Sequence, residues 1–196
     1  RWPDKYFNSQ AGWLHQSGES DSLPLFEHGI FDGGQVVGAL DSGLFATHCS
    51  FNDPAYGTPV TSVCTTGSSC TAVTPDFDHR KIGAHYKWSG DPGTAPADNH
   101  GHGTHVMGSL AGNNIADPVD CENYTSPGGI TNLDGSAPGA KLISQEMGAS
   151  LTYLSQGGTI YHASTIAYEN GARIHSNSWG SNCRGGIFNL CTPGCQ

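Results

Sequence analysis

Three histidines within six residues are the strongest chemical signal in the sequence. They are His100, His102 and His105, in the glycine-rich segment that runs from Asn99 to Gly108. The segment joins an extended stretch to the start of a predicted helix. Imidazoles clustered at such a junction are rarely structural, and they can serve either as a general base and acid or as metal ligands.

Two functions compete for this segment. In the first, the spacing His100-x-His102-x-x-His105 approaches the His-x-His-x-Asp-His pattern of metallo-hydrolases. Thr104 stands where that pattern has aspartate, which weakens a two-metal site. In the second, residues 102–108 act as one unit, in which His102 opens a helix as a general base. The glycines of this unit would let the helix pack tightly on a sheet.

An acidic residue suited to work with such a base follows an apolar run earlier in the chain. Residues 35–40 predict a buried parallel strand, and Asp41 stands at its carboxyl end. A carboxylate there can accept the Nδ1 proton of a histidine and orient the ring. Taken alone, the same residue is also typical of a turn or a helix cap.

Three motifs, in order along the chain, resemble those of the subtilisin family of serine proteases. Residues 37–43 resemble its aspartate motif, residues 102–108 its histidine motif, and residues 171–180 its substrate-binding strand. The amino-acid sequence of these motifs is most similar to that of the oxidatively stable alkaline subtilases. The resemblance covers roughly residues 30–182.

The resemblance implies a subtilisin-like three-layer α/β fold with a mostly parallel sheet, of which this chain is an incomplete N-terminal part. It implies that Asp41 orients the imidazole and that His102 acts first as base and then as acid. It also implies that Ser178, Trp179 and Gly180 pair with an extended polypeptide substrate through main-chain hydrogen bonds. Trp179 would either shape the pocket wall or serve as an ordinary core aromatic. The chemistry implied requires no cofactor, and calcium is implied as a structural ion without a nameable ligand set.

The motif that carries the family's nucleophile, Gly-Thr-Ser-x-Ala, does not occur in the sequence. Residues 57–59 lack the serine. Residues 111–113 have the Ala-Gly-Asn sequence of the family's oxyanion segment, but they stand too early in the chain to serve as that segment. We therefore expect a serine endopeptidase whose serine and oxyanion asparagine lie outside this chain. They would belong to a complementary C-terminal segment, either as a second chain after cleavage or as the remainder of a longer polypeptide. The 196-residue chain alone is expected to be inactive. The alternative is a non-catalytic subtilisin-like module in an extracellular assembly.

The elements that must position these residues alternate between strand and helix, which is typical of an α/β parallel sheet. The strands are predicted at residues 35–40, 81–88 and 140–147 and from residue 172 onward. The helices are predicted at 102–113 and 155–170, with Gly171 as the stop of the second.

The chain divides into a short arm and one domain. Residues 1–34 are mixed and turn-rich and predict an N-terminal arm, and residues 35–196 predict the N-terminal part of a peptidase domain. Within the domain, the Cys/Thr/Ser/Pro-rich stretch 49–78 predicts an insertion made of loop and stapled by a disulfide. Residues 183–196 predict a cysteine-rich loop.

Composition narrows the class of protein further. The net charge is −9 and no basic run occurs, so a nucleic-acid partner is not expected. No apolar stretch approaches the ~18 residues of a membrane span.

The seven cysteines avoid zinc-finger spacings and lie in loop-like stretches, which favours disulfides in a secreted protein. Because seven is odd, one thiol is free or pairs outside the chain. Asn123 opens a glycosylation sequon that agrees with a secreted protein.

Overall fold

A six-stranded sheet organises the residues that the computed structural model describes, which are 8–20, 22–66, 69–87, 96–113, 134–147 and 159–179. The strands are β1 (Val36–Asp41), β2 (Thr61–Thr66), β3 (Ser69–Cys70), β4 (Ile82–Lys87), β5 (Lys141–Glu146) and β6 (Ile174–Ser176). The helices are α1 (Asn8–Gln16), α2 (Pro24–Glu27), α3 (His102–Ala111) and α4 (Ile160–Glu169).

The order of the strands across the sheet is β3-β2-β4-β5-β1-β6. All neighbours pair in parallel except β2 and the short β3, which are antiparallel. In the register of the central strands, Glu146 lies beside Asp41 on one side and beside Lys87 on the other. The carboxyl ends of β1, β4 and β5 therefore meet at one edge. The predicted α/β class with a mostly parallel sheet is confirmed.

Strand β1, which lies between β5 and β6, is apolar along nearly its whole length because helices cover both of its faces. Val37 and Ala39 pack on one face in a cluster that includes Met107 of α3. Leu40 packs on the other face in a cluster that includes Ala163 of α4. The two helices thus form the outer layers of a three-layer arrangement, with α3 above one face and α4 above the other.

Helix α4 shows how local sequence sets the limits of an element. The hydroxyl oxygen of Thr159 accepts a hydrogen bond from the backbone N–H of His162 at 3.1 Å and caps the first turn. Ala163 and Ala167 lie one turn apart and are both buried against the sheet. The helix ends where Gly171 takes a φ of 99°, which confirms the predicted stop. Residues 155–158 of the predicted helix lie outside the described residues.

The prediction that residues 49–78 consist of loop is wrong for two parts, residues 61–66 (β2) and 69–70 (β3). Residues 61–66 form β2, which extends the parallel sheet beyond β4. Ser62 and Cys64 alternate with less buried neighbours, as in a strand with one face inward. The composition was misleading because threonine favours strands as readily as it appears in loops. The predicted disulfide staple is confirmed, since Cys64 bonds to Cys70, and Cys49 is disulfide-bonded as well.

The described part of the N-terminal arm contains helix as well as turns. Helix α1 and the single-turn α2 were not predicted from its composition, although Pro24 opens α2 at a position where proline is favoured. The backbone N–H of Gly139 donates to the carbonyl oxygen of Phe31 at 2.6 Å and joins the arm to the loop before β5. No helix among the described residues is both long enough and apolar enough to cross a membrane.

Candidate active site

Asp41 and His102, which stand 61 residues apart in sequence, lie in direct contact at the carboxyl edge of the sheet. Asp41 is the last residue of β1, and His102 is the first residue of α3. The Nδ1 of His102 lies 2.7 Å from Oδ1 of Asp41, the geometry of an Nδ1–H donating to a carboxylate. The Asp41 side chain is 2% exposed and that of His102 44% exposed. The buried acid therefore holds one nitrogen of an imidazole whose ring remains accessible.

Close backbone contacts bring the helix start to the end of the strand. A Cβ atom at Gly103 would overlap the carbonyl oxygen of Gly43 and would lie 3.1 Å from Cβ of Asp41. Gly43 has a φ of 145°, and a Cβ there would overlap the carbonyl oxygen of Ala97. Glycine is required at both positions because three backbone segments meet without room for side chains.

A second carboxylate, Asp98, joins these segments through hydrogen bonds. It accepts bonds from the loop after β1, from the turn that precedes α3 and from the first turn of α3 itself. Burial by itself raises the pKa of Asp98, but the hydrogen bonds from Thr104, Gly101 and Ser42 outweigh it and hold that pKa below its ordinary value. Asp98 is therefore an ionised acceptor at the helix start. It was not predicted from the sequence, because it stands before the N-cap position Gly101 and so gives no N-cap signal.

A buried polar cluster lies on the α3 face of the sheet near the same edge. His85 Nδ1 is 2.8 Å from Ser144 Oγ, and His85 Nε2 is 3.6 Å from Glu146 Oε2. Burial lowers the pKa of His85, although the nearby carboxylate of Glu146 opposes that shift. Among the described residues, Oε2 of Glu146 and Oδ2 of the neighbouring Asp41 have no hydrogen-bond partner. The strand patterns did not reveal this cluster, because it arises from register between strands.

The segment predicted to bind substrate follows β6 to the same edge of the sheet. The indole N–H of Trp179 donates to the carbonyl oxygen of Leu40 at 2.9 Å, and the half-buried ring packs against the core cluster on the α4 side. Ser178 lines a groove of about 330 Å³ together with His105 and Ser109 of α3. The structure thus anchors this segment to the strand that carries Asp41. Its role in binding a peptide stays a prediction.

Two of the predicted site residues cannot be placed. Gly180, the third residue of the proposed binding segment, lies outside the described residues, as does the sequon residue Asn123. The cysteine-rich loop predicted at 183–196 also lies outside them.

The histidine segment shows no metal centre in the part of the chain that the structure describes. The rings of His100 and His102 meet edge to face with centroids 6.1 Å apart. Within the described residues, no group of three His, Cys, Asp or Glu side chains is placed to hold a metal ion. These side chains therefore offer no ligand set for the two-metal alternative among the described residues.

Comparison with known proteins gives one consistent family. The profile of the Subtilase family matches residues 32–193. The chain is 28% identical over 182 residues to the serine protease/ABC transporter B family protein tagA of Dictyostelium discoideum, covering 89% of the chain and 8% of that protein. It is 32% identical over 155 residues to the subtilisin-like protease SBT4.6 of Arabidopsis thaliana, covering 72% of the chain and 19% of that protein. With SBT4.15 of the same plant the identity is 32% over 141 residues, covering 63% and 18%. The chain therefore spans less than a fifth of the length of these relatives.

Proposed function

The chain belongs to the subtilase family, and from this premise we propose that it is the part of a serine endopeptidase that carries the acid and the base of an Asp/His/Ser triad. The observation that carries the proposal is the 2.7 Å contact between Asp41 Oδ1 and His102 Nδ1. Its position at the carboxyl edge of a parallel sheet supports the proposal, because ligands of open α/β sheets bind at that edge.

Each residue then has a defined part in peptide-bond hydrolysis. With Nδ1 held by Asp41, Nε2 of His102 accepts the proton of a serine hydroxyl as that oxygen attacks the substrate carbonyl carbon. The imidazolium formed is stabilised by the Asp41 carboxylate. His102 next gives the proton to the amine nitrogen as the peptide C–N bond breaks. A water molecule then repeats the sequence and releases the acyl group.

The serine and the oxyanion asparagine belong, in this proposal, to a complementary C-terminal segment, because residues 1–196 contain no Gly-Thr-Ser-x-Ala motif. The loss of the nucleophile from an enzyme of this type costs about 10⁶ in kcat. Removal of an oxyanion donor costs about 10² to 10³ more. The chain by itself is therefore proposed to be inactive. The segment around Ser178 and Trp179 would hold the backbone of a polypeptide substrate in the extended conformation.

Secretion fits the same proposal. The disulfide between Cys64 and Cys70 is of a kind that persists in oxidising compartments. Glycosylation at Asn123 would agree with that location. Calcium would act only as a structural ion, and no catalytic step is assigned to it.

A fluorophosphonate probe applied to the native protein tests the function. We expect labelling of a serine outside residues 1–196, on a co-purifying chain or further along the same polypeptide. His102→Ala should abolish labelling. His100→Ala is the matched control in the same segment and should label at the normal rate, because His100 has no part in the triad.

Other outcomes would favour the alternatives. No labelling of the intact, full-length native protein would contradict the protease and favour a non-catalytic module. Stoichiometric zinc that is lost in His100→Ala would contradict it in favour of a metallo-hydrolase.

A further inference from the structure

Asp98 makes five hydrogen bonds that all converge on the start of α3 and the loop after β1. Its Oδ1 accepts from the hydroxyl of Ser42 at 2.9 Å, from the backbone N–H of His100 at 3.2 Å and from that of Gly101 at 2.9 Å. Its Oδ2 accepts from the backbone N–H of Thr104 at 2.8 Å and from the Thr104 hydroxyl at 2.6 Å. The two oxygens of one carboxylate thus hold two different segments.

The first turn of α3 depends on these contacts because it has no local cap. The residue at the N-cap position is Gly101, with a φ of 81° and no side chain to accept the first N–H groups. Instead, the N–H of Thr104 donates to Asp98 and the N–H of Gly103 donates to the hydroxyl of Ser42 at 2.9 Å. Both acceptors come from outside the helix. The negative charge of Asp98 at this end also complements the helix dipole.

The same network also reaches Asp41 through Ser42. Ser42, whose hydroxyl donates to Asp98, donates its backbone N–H to Oδ1 of Asp41 at 2.7 Å. Thr104, whose hydroxyl also donates to Asp98, accepts the backbone N–H of Phe45 at 2.9 Å. Asp98 therefore bridges the strand end that presents Asp41 to the helix start that presents His102.

We propose that Asp98 is a positioning residue, which sets the separation of Asp41 and His102 by bridging the loop after β1 to the first turn of α3. The inference rests on the proposed function, because the separation matters for catalysis only if the pair belongs to a triad. Among the described residues Asp41 is the only hydrogen-bond partner of the His102 ring, so a displaced helix start changes that bond directly.

Asp98→Asn in the complete native protein is the test. The asparagine amide keeps the shape of the carboxylate but has one oxygen and one NH₂ group. Because the NH₂ group cannot accept a hydrogen bond, the bonds at either Oδ1 or Oδ2 are lost. We expect kcat for a peptide substrate to fall by about 10- to 100-fold with KM changed by less than about twofold, as for a displaced catalytic group. In proton NMR, the hydrogen-bonded Nδ1 proton of His102, assigned by its absence in His102→Ala, should broaden or shift upfield.

Asp53→Asn is the matched control. The Asp53 carboxylate also bridges segments, since its Oδ1 accepts the N–H groups of Ala55 and Tyr56 and its Oδ2 accepts that of Arg80. It has no contact with Asp41 or His102 in the described structure. The control should lose stability comparably and keep both kcat and the Nδ1 proton signal. An Asp98→Asn protein that keeps kcat within about twofold, or that loses no more kcat than Asp53→Asn does, overturns the proposal.

Two further measurements keep the test decisive. If Asp98→Asn does not fold, Ser42→Ala removes one arm of the bridge and should lower kcat by about tenfold, and an unchanged kcat there overturns the proposal. If the wild-type protein does not react with the fluorophosphonate probe, the proposed function fails. The Nδ1 proton signal still decides the role of Asp98 in that case, because it requires no serine. An unperturbed signal in Asp98→Asn then overturns the positioning role.

Discussion

Replacing Gly103 with alanine should separate Asp41 from His102, because position 103 has no space for a methyl group. The added Cβ would overlap the carbonyl oxygen of Gly43, and it would lie 2.8 Å from the Gly43 nitrogen and 3.1 Å from Cβ of Asp41. These atoms belong to the backbone or to the base of a side chain, so no rotamer change can relieve the contacts. Helix α3 must therefore move away from the end of β1, and His102 moves with it.

Two opposing terms set the stability change. Overpacking of this kind costs about 1–3 kcal/mol. Alanine in a helix gains about 1 kcal/mol over glycine, which offsets part of that cost. The net free energy of unfolding should therefore fall by roughly 0–2 kcal/mol. The effect on the labelling rate should be larger than the effect on stability, since a displacement of a catalytic group by about 1 Å costs on the order of 10²-fold in rate.

Gly108→Ala, in the same helix, measures the gain in helix propensity without the steric overlap. Among the described residues a Cβ at Gly108 meets only Cζ of Phe51, at 3.9 Å, which is an ordinary contact. This variant should gain up to about 1 kcal/mol and keep the wild-type reaction rate. Urea-unfolding midpoints and fluorophosphonate labelling rates of both variants provide the assay. If Gly103→Ala is as stable as Gly108→Ala, or labels within about twofold of the wild-type rate, the steric reasoning is refuted.

Three further predictions concern other parts of the fold. Burial lowers the pKa of Lys81 to about 7 from 10.5. Between these two pH values the unfolded chain binds more protons than the folded protein does, so the free energy of unfolding should rise with pH. Urea midpoints at several pH values should show this rise in the wild type and a flatter profile in Lys81→Met, and equal slopes would contradict it. Replacing both Cys64 and Cys70 with serine should cost about 2 kcal/mol by the loop-closure relation, measured by urea unfolding, and an unchanged midpoint would count against a stabilising staple. Trp179→Phe keeps an aromatic ring but loses the indole N–H bond to the carbonyl oxygen of Leu40 and some packing area, so it should cost at least about 1 kcal/mol. A thermal melt that matches the wild type would show that this bond contributes nothing.

Elements with a strong local pattern could be predicted closely from the sequence. The strand expected at residues 35–40 lies at 36–41, and the one expected at 140–147 lies at 141–146. The helix expected at 102–113 ends at residue 111. These segments are predictable because the period of their apolar residues and their end signals depend on neighbours in sequence. Strand β2 was missed because its threonine-rich stretch has a strand pattern too weak to separate it from loop.

The sequence by itself determined which residues could form the acid and base of the site, since the motifs around Asp41 and His102 are local and stand in the order of the family. It did not determine Asp98 or the buried cluster around His85 and Glu146. The cluster forms only when strands align in register, and Asp98 reaches Ser42, 56 residues away in sequence, only when the segments at 42–45, 96–98 and 101–104 converge. A hydrogen bond between groups far apart in sequence leaves no local period or cap signal. The tertiary structure therefore decided how the pair is held, whereas its members were already evident in the chain.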